Sequence, residues 1–336
     1  MKVKPASPRQ NVFALVRWGA ALLIVAFHCF VLTNHPQAHL FRPADAVHAF
    51  FVMSGFFSAL AVGRRPRPLG YYAHRARRLV PPYAVVVAAC VVAGALLSSW
   101  PLDQYVKSAE TWRYLLANLS FLNFLQPTLP GVFAEGNHVV TAVNGALWTM
   151  KMEVMFALVV PALYAMHQSE RLGSLRHFLS LILTVGCFVG ATYAERKLVI
   201  GIPLHIMKQW VFFYAGFCAS LYAERLSEHR RVIITGALVF FVVAQYVFSL
   251  YYVLVPCAMA ALLSLLGPCR LPAKTPLLPP ITFELYLVHF PIVQILIALL
   301  PSLRWHVGLL LLMVLLLSLG VAMMLHRVTR METKMS

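Results

Sequence analysis

The sequence predicts an all-α, polytopic membrane protein of about ten transmembrane helices with both termini in the cytoplasm. Of its 336 residues, 60% are apolar and only 12% are charged, a balance that soluble domains of this size do not have. Most of the 28 lysine and arginine residues fall in alternate loops between apolar runs. That alternation is typical of loops that stay in the cytoplasm.

Each apolar run of about 20 residues is long enough to cross the hydrocarbon core. We predict spans at residues 12–33, 46–62, 81–99, 142–165, 178–194, 206–223, 232–248, 250–267, 281–300 and 305–325. A count of nine or eleven would also fit. The spans divide the chain into a cytoplasmic N-terminal tail (1–11), a transmembrane domain (12–325) and a cytoplasmic C-terminal tail (326–336). The longest loop, at about 100–141, faces outward and could cap an outward-facing cavity.

The formal net charge of +17 does not indicate a nucleic-acid partner, because the position of the charges already explains their number. The six cysteines contain no close CxxC pair, and no spacing typical of zinc ligands occurs. We therefore predict neither disulfides nor a metal site.

Arg17 and His28 lie in the first predicted span, where ionisable side chains are costly and hence candidates for function. Eleven residues correspond to almost three full helical turns, so the two side chains share one face, roughly 16 Å apart along the axis. The pair could form the two ends of a tunnel. It could also be a snorkelling arginine and a hydrogen-bonded core histidine.

The fourth predicted span contains one acid, Glu153, which needs a cationic or hydrogen-bonding partner if it is buried. Arg17, Lys151 and His28 are the available partners, and simple pairing with Lys151 is an alternative. Helical spacing predicts one face that carries Asn144, Trp148 and Lys151 and another that carries Thr149, Glu153 and Phe156.

Two further groups are candidates. Tyr286 and His289 are three residues apart in the ninth predicted span, which has Glu284 as its only acid. A basic run that includes Arg75 and Arg78 adjoins the third span, where it could orient the chain or contact lipid headgroups. Arginine also binds phosphate bidentately.

Five segments occur in a fixed order along these spans. They are Arg17 to His28 (R-x10-H), Phe50 to Phe56 (FFVMSGF), Arg75 to Arg78 followed by Pro81-Pro82-Tyr83, Asn144 to Thr149 (NGALWT) with Glu153 and Phe156, and Tyr286 to Pro291 (YLVHFP). In this order they resemble the membrane acyltransferase family 3 over nearly the whole chain. The sequence departs from the family pattern at Ala14, His48 and Val154, which weakens helper roles but not the Arg17 and His28 pair.

The resemblance implies transfer of an acyl group, usually acetyl from acetyl-CoA, to a hydroxyl of a glycan outside the cytoplasmic membrane. The expected partners are cytoplasmic acyl-CoA, a glycan or lipid-linked oligosaccharide acceptor, and membrane lipids, without nucleic acid or a permanently bound cofactor. The expected location is the cell inner membrane.

On this basis His28 is expected to act as general base or as acyl-accepting nucleophile. Glu153 is expected to set its tautomer or stabilise its imidazolium. The residues expected to hold the phosphates of acyl-CoA are Arg17, Arg75 and Arg78. Those expected to line the acceptor or oxyanion region are Asn144, Trp148, Tyr286 and His289.

Two other classes of protein fit the residues alone. A proton-coupled transporter or flippase of a lipid-linked glycan would use the histidines and Glu153 to relay protons. A non-enzymatic assembly or sensor subunit would tolerate charge-neutral substitutions at Arg17 and His28.

Overall fold

The computed structural model describes residues 11–65, 67–133, 140–180, 182, 184–186, 208–246, 251–272, 275 and 278–335. Every regular element in these ranges is an α-helix or a short 3₁₀-helix, apart from an isolated β-bridge between Asn11 and Arg270. The all-α prediction is confirmed for this part of the chain. The predicted tail at 1–11 lies outside it except for Asn11.

The α-helices are numbered in chain order. They are α1 (Val12–Leu32), α2 (Pro43–Gly63), α3 (Pro68–Leu97), α4 (Leu102–Lys107), α5 (Ala109–Leu119), α6 (Trp148–Gln168), α7 (Gln209–Leu221), α8 (Ala223–Glu228), α9 (Arg230–Tyr246), α10 (Tyr251–Leu266), α11 (Thr282–Leu299) and α12 (Val307–Met335). Residues 175–180 are also helical.

Six helical segments in the described ranges are long and apolar enough to cross a membrane. They are Val12–Leu32, Pro43–Gly63, Pro68–Leu97, Gly145–Gln168, Thr282–Leu299 and Val307–Arg330. The chain is thus a helical, multi-pass membrane protein, as predicted, but these helices do not reach the predicted count of about ten. Two predicted spans are apolar helices of only 13 and 16 residues, α7 and α10, and the one at 178–194 lies largely outside the described residues.

Three helix boundaries differ most from those predicted. Helix α3 begins at Pro68 rather than 81 and continues through Pro81 and Pro82, so its arginines lie on the helix and not in a loop. Helix α12 continues past 325 to Met335. Helix α6 begins at Trp148 rather than 142, which removes Asn144 from the helical face predicted for it.

The chain divides into two compact units: one from Met1–Ala20, Ala44–Tyr72 and Met155–Leu278, the other from Ala21–Pro43, Ala73–Val154 and Pro279–Ser336. In the first unit, glycines allow α2 and α7 to pack backbone against backbone. A Cβ at Gly55 would collide with the backbone of Phe213, and one at Gly216 with that of Val52. Small residues at such contacts are typical of packing between membrane helices.

The second unit contains most of the predicted site residues. Its α11 packs against α12 and against the 3₁₀ turn Gly145–Leu147. Tyr105 of α4 donates to the Val91 carbonyl at 2.8 Å, and burial, with Cys90 nearby, raises the pKa of Tyr105 to about 12. Tyr105 is therefore a neutral donor that holds α4 against α3.

Candidate active site

Two histidines from opposite ends of the chain meet in the second unit. Nδ1 of His28, on α1, lies 2.9 Å from Nε2 of His289, on α11, and the ring centroids are 5.0 Å apart. His289 is fully buried, whereas His28 is half-buried. We call these two side chains the histidine pair.

The hydrogen bonds around the pair fix its tautomers. Nδ1 of His289 faces the carbonyls of Tyr286 at 2.8 Å and Leu285 at 3.3 Å, and because carbonyls only accept, this nitrogen carries the proton. Nε2 of neutral His289 is then an acceptor, so His28 donates from Nδ1. By this assignment from the network, neutral His28 carries its proton on Nδ1 and its lone pair on Nε2.

A proline in α11 explains how the Asn144 segment reaches this site. Pro291 has no backbone N–H, so the carbonyl of Leu287, four residues earlier, lacks its helical donor. Asn144 supplies the donor instead, with Nδ2 at 2.8 Å from that carbonyl. The amide side chain thereby joins the segment before α6 to α11, two residues from His289.

Gly145 brings this segment against the ring of Phe290. A Cβ at Gly145 would lie 2.7 and 2.8 Å from carbons of that ring, so no larger residue fits without moving it. The Phe290 ring in turn packs edge-on against His28, with centroids 5.0 Å apart. Gly145 therefore helps to set the position of His28 through Phe290.

Tyr286 is held by the start of α6. Its hydroxyl donates to the Ala146 carbonyl at 2.8 Å, and Thr149 Oγ1 lies 3.0 Å from the same hydroxyl. Because the Tyr286 proton is used by the carbonyl, the Thr149 hydroxyl is the donor to Tyr286. Tyr286 therefore fixes α6 against α11 and has no proton left for an oxyanion.

Arg75 and Glu153 form an ion pair between α3 and α6. Their side chains are only 12% and 18% exposed. Lys151, the alternative partner for Glu153, instead places its ammonium 4.4 Å from the centroid of the Phe124 ring.

A second acid–base pair lies between α11 and α12. Nδ1 of His326 is 2.6 Å from Oε1 of Glu284, and the buried Oε2 of Glu284 has no hydrogen-bond partner among the described residues. Arg78 interacts electrostatically with both carboxylates and with Arg75 and Arg330. Within the described ranges Arg78 makes no ion pair of its own.

These six residues, Arg75, Arg78, Glu153, Glu284, His326 and Arg330, are called the charge cluster. Three guanidinium groups outnumber two carboxylates, so the cluster favours an anion. It adjoins the histidine pair along shared helices: Glu284 is five residues from His289, about 7.5 Å along the axis of α11. Glu153 is one turn from Thr149 on α6. One unit thus holds an anion-favouring cluster next to a histidine with an available lone pair.

The contacts of two predicted residues differ from the expected ones. His28 pairs with His289 and Glu153 pairs with Arg75; the role expected of Glu153 toward His28 stays a prediction. The polar groups of Asn144 and Tyr286 are engaged with the backbone, which fits positioning better than the predicted contact with substrate.

The remaining predicted residues are Trp148 and Arg17. Trp148 begins α6 and is half-buried. Arg17 lies in the part of α1 that belongs to the first unit, with its guanidinium carbon 4.6 Å from the centroid of the Phe57 ring. Its role in binding acyl-CoA stays a prediction.

Sequence reasoning missed three members of the charge cluster. Glu284 had a signal, as the only acid in its predicted span, but was given no role. His326 and Arg330 were placed in a cytoplasmic tail because the apolar run ends before them. Because α12 continues past the apolar run, both residues lie on this helix, where His326 contacts Glu284 and Arg330 interacts with Arg78.

The chain is similar in sequence to known proteins. Residues 13–327 match the family described as an acyltransferase domain. An O-acetyl transferase of Shigella phage Sf6 is 22% identical over 300 residues, 86% of each chain. The exopolysaccharide production protein ExoZ of Rhizobium meliloti (strain 1021) is 31% identical over 159 residues, 47% of this chain and 45% of that protein. No solved structure gives a significant match.

A family match over nearly the whole chain defines the class: the protein is a membrane acyltransferase. It belongs to acyltransferase family 3, as the five ordered segments of its sequence predicted.

Proposed function

We propose that this enzyme transfers an acyl group, with acetyl as the first choice, from cytoplasmic acyl-CoA to a hydroxyl of a glycan. The acceptor classes are an exopolysaccharide, an O-antigen or a lipid-linked oligosaccharide. The names of the two relatives, an O-acetyl transferase and an exopolysaccharide production protein, support acetyl and a polysaccharide.

The observation that carries the proposal is the lone pair on Nε2 of His28. Because Nδ1 of His28 is directed at His289 at 2.9 Å, Nε2 is the nitrogen available to a substrate. A positioned neutral imidazole is the commonest general base for removing a proton from a hydroxyl.

In the proposed reaction, Nε2 of His28 takes the proton of the acceptor hydroxyl. At the same time the oxygen of that hydroxyl forms a bond to the thioester carbonyl carbon. The carbon–sulfur bond then breaks, and the CoA sulfur leaves with the proton from the His28 imidazolium. His289 accepts a hydrogen bond from Nδ1 throughout and so stabilises the imidazolium, as the third group of an acyl-transfer triad does. The same lone pair could attack the thioester directly; acyl-enzyme formed without acceptor would identify that route.

The donor would be held by the charge cluster. Acyl-CoA carries phosphates, which guanidinium groups bind through paired, charge-assisted hydrogen bonds. Arg78 is the best placed, because the described residues offer it no ion pair, whereas Arg75 is bound to Glu153. Since the cluster and the histidine pair share α11, bound phosphates would direct the thioester along this helix toward His28.

We propose the ten-span topology with both termini in the cytoplasm, in the cell inner membrane. The alternation of basic loops supports it. It places the basic start of α3 on the side where acyl-CoA is made, and the loop at about 100–141 on the side of the glycan. Cysteine accessibility at the loop ends from each side of the membrane tests this arrangement.

The experiment for the function measures label from [14C]acetyl-CoA in the surface polysaccharide of cells that carry wild type, His28→Ala or His39→Ala. His39 is exposed, so its variant is the matched control. We expect wild-type and His39→Ala cells to form labelled ester and His28→Ala cells to lose it at equal protein level. A transporter would form no ester in any strain, and full labelling with His28→Ala would overturn the mechanism.

A further inference from the structure

A cavity of about 340 Å³ opens in the second unit, in the loop region between α3 and α6. Its walls come from Ser99 and Trp100 just after α3, the first turn of α5, residues 128–132 and Thr141. We call it the loop cavity. The volume lies at the lower end of the range for small-molecule sites, about 300–1,000 Å³, so it has room for a sugar unit rather than a whole chain.

The wall around Trp100 is built by specific backbone contacts. Ser99 donates its backbone N–H to the Gly131 carbonyl at 3.0 Å, and the Ser98 hydroxyl accepts from the Trp100 N–H at 3.0 Å. Gly131 has a φ of 64°, and a Cβ there would lie 2.7 Å from Cδ1 of Trp100. The indole is therefore seated against the loop, although 43% of it is exposed.

The side chains of the loop cavity suit a polyhydroxylated ring. The flat indole of Trp100 offers an apolar face for stacking against C–H groups. Glu110 offers a carboxylate that accepts strong hydrogen bonds from hydroxyls, and Thr128 and Thr141 line the same space. A carboxylate in the lining disfavours the phosphates of acyl-CoA, so the cavity suits a sugar better than the donor.

A short segment connects the loop cavity to the histidine pair. Thr141 is three residues before Asn144, a reach of at most about 11 Å, and Asn144 is bonded to α11 beside His289. Gln294 of α11 also holds this segment, through the carbonyls of Val140 at 2.6 Å and Ala142 at 3.0 Å. The cavity and the proposed base are thus fixed to the same helix.

We infer that the loop cavity binds a sugar unit of the acceptor glycan next to the unit that receives the acyl group, with stacking on Trp100 and hydrogen bonding to Glu110. This rests on the proposed function, and it assigns the acceptor a binding site separate from the reacting atoms. The polar groups of Asn144 and Tyr286 are already engaged, so acceptor affinity would come from this cavity.

The test compares Trp100→Ala, Trp100→Phe and Glu110→Gln with two controls. Trp112 is 52% exposed on α5 and Asp103 pairs with Lys107 on α4; neither lines the cavity. Trp112→Ala and Asp103→Asn therefore show how far the loss of any tryptophan or any carboxylate in this region changes binding, without a change in the cavity.

The enzyme is placed in nanodiscs, and the acceptor is unacetylated polysaccharide from source cells that lack the gene. We measure the binding of this polysaccharide to the enzyme and the KM values for polysaccharide and acetyl-CoA. We expect Trp100→Ala and Glu110→Gln to weaken binding and raise the polysaccharide KM about 5- to 10-fold, with the acetyl-CoA KM unchanged. Trp100→Phe should retain most of the binding, and both controls should match wild type.

Unchanged binding in Trp100→Ala and Glu110→Gln would overturn the inference, as would an equal loss in Trp112→Ala or no binding by wild type. Binding that depends on Trp100 without transfer of label would instead refute the proposed function and leave the cavity assignment in place.

Discussion

Nδ1 of His28 lies 2.9 Å from Nε2 of His289, and the backbone carbonyl of Tyr286 accepts from the far side of His289. The three groups form one directional chain of hydrogen bonds that ends at the lone pair of His28. In acyl-transfer triads a carboxylate orients the base. In the proposed mechanism the neutral imidazole of His289 takes that place, and Glu153 pairs with Arg75.

This chain predicts that His289 acts through His28. His289→Ala should lower kcat for acetyl transfer about 100-fold, the cost of a misplaced catalytic group, with the acetyl-CoA KM unchanged. His289→Gln should recover part of the rate, since its amide oxygen can accept from Nδ1 of His28. Steady-state kinetics of the two variants, normalised to folded protein, give the comparison; no rescue by glutamine would argue against an orienting role.

Arg78 should control the affinity for the donor. Arg78→Ala removes a charge-assisted hydrogen bond worth about 1.5–3 kcal/mol, so the KM for acetyl-CoA should rise about 10- to 100-fold. Arg77 is its exposed neighbour on α3, and Arg77→Ala should leave that KM unchanged. Equal effects of the two variants would mean a general electrostatic attraction rather than a defined contact.

The Arg75–Glu153 ion pair should appear as coupling in stability. Removal of one partner takes this contact from the other charge, which stays largely buried, whereas removal of both leaves no charge at either position. We expect Arg75→Met and Glu153→Gln each to lower the free energy of unfolding, and the double variant to lose about 1–3 kcal/mol less than their sum. Thermal unfolding in detergent for the four proteins completes the cycle; additive losses would rule out the coupling.

The length of the apolar runs was sufficient to predict the long helices but not their ends near the site. Asn144 reads as a residue of a span because apolar residues surround it. It lies before α6 because a carbonyl on α11, freed by Pro291, binds its side chain. That partner is 143 residues away, and no local pattern reports such a contact.

The residue types of the site were also visible in the sequence, whereas their pairing was not. A histidine and a carboxylate in separate spans predicted an acid–base pair, and both are present. The pairs that form are different ones. His28 pairs with His289, 261 residues away, and Glu153 pairs with Arg75, 78 residues away. Spacing along a helix relates residues of that helix only, so contacts between spans follow from packing.

Gly145 should affect catalysis through Phe290. In Gly145→Ala the new Cβ would meet the Phe290 ring, and such overpacking costs about 1–3 kcal/mol or displaces the ring. Since that ring packs on His28, kcat should fall, and Gly145→Ala/Phe290→Leu should recover activity. Gly308→Ala serves as the control, because a Cβ there has nothing within 4 Å. Wild-type kcat in Gly145→Ala would show that the ring is free to move.

The bond between Asn144 and the Leu287 carbonyl gives the sharpest test of how the site is assembled. Asn144→Ala should destabilise the protein by about 1–3 kcal/mol, because it leaves a buried carbonyl without a donor. Pro291→Ala restores a backbone N–H that can reach this carbonyl as a normal helical bond. The double variant should therefore be more stable than Asn144→Ala alone, although it still lacks the Asn144 side chain that accepts from the Ala146 N–H at 3.3 Å.

Pro161, within α6, provides the matched control, because its substitution frees no donor for Leu287. Asn144→Ala/Pro161→Ala should be additive, whereas Asn144→Ala/Pro291→Ala should show a coupling of at least about 0.5 kcal/mol. The same double variant should remain slower than wild type in catalysis, since the restored helical bond does not replace the Asn144 contact that helps to hold Gly145 against the Phe290 ring. Recovery of stability without recovery of kcat would separate the two roles of this asparagine; recovery of both would show that the segment is held by other contacts.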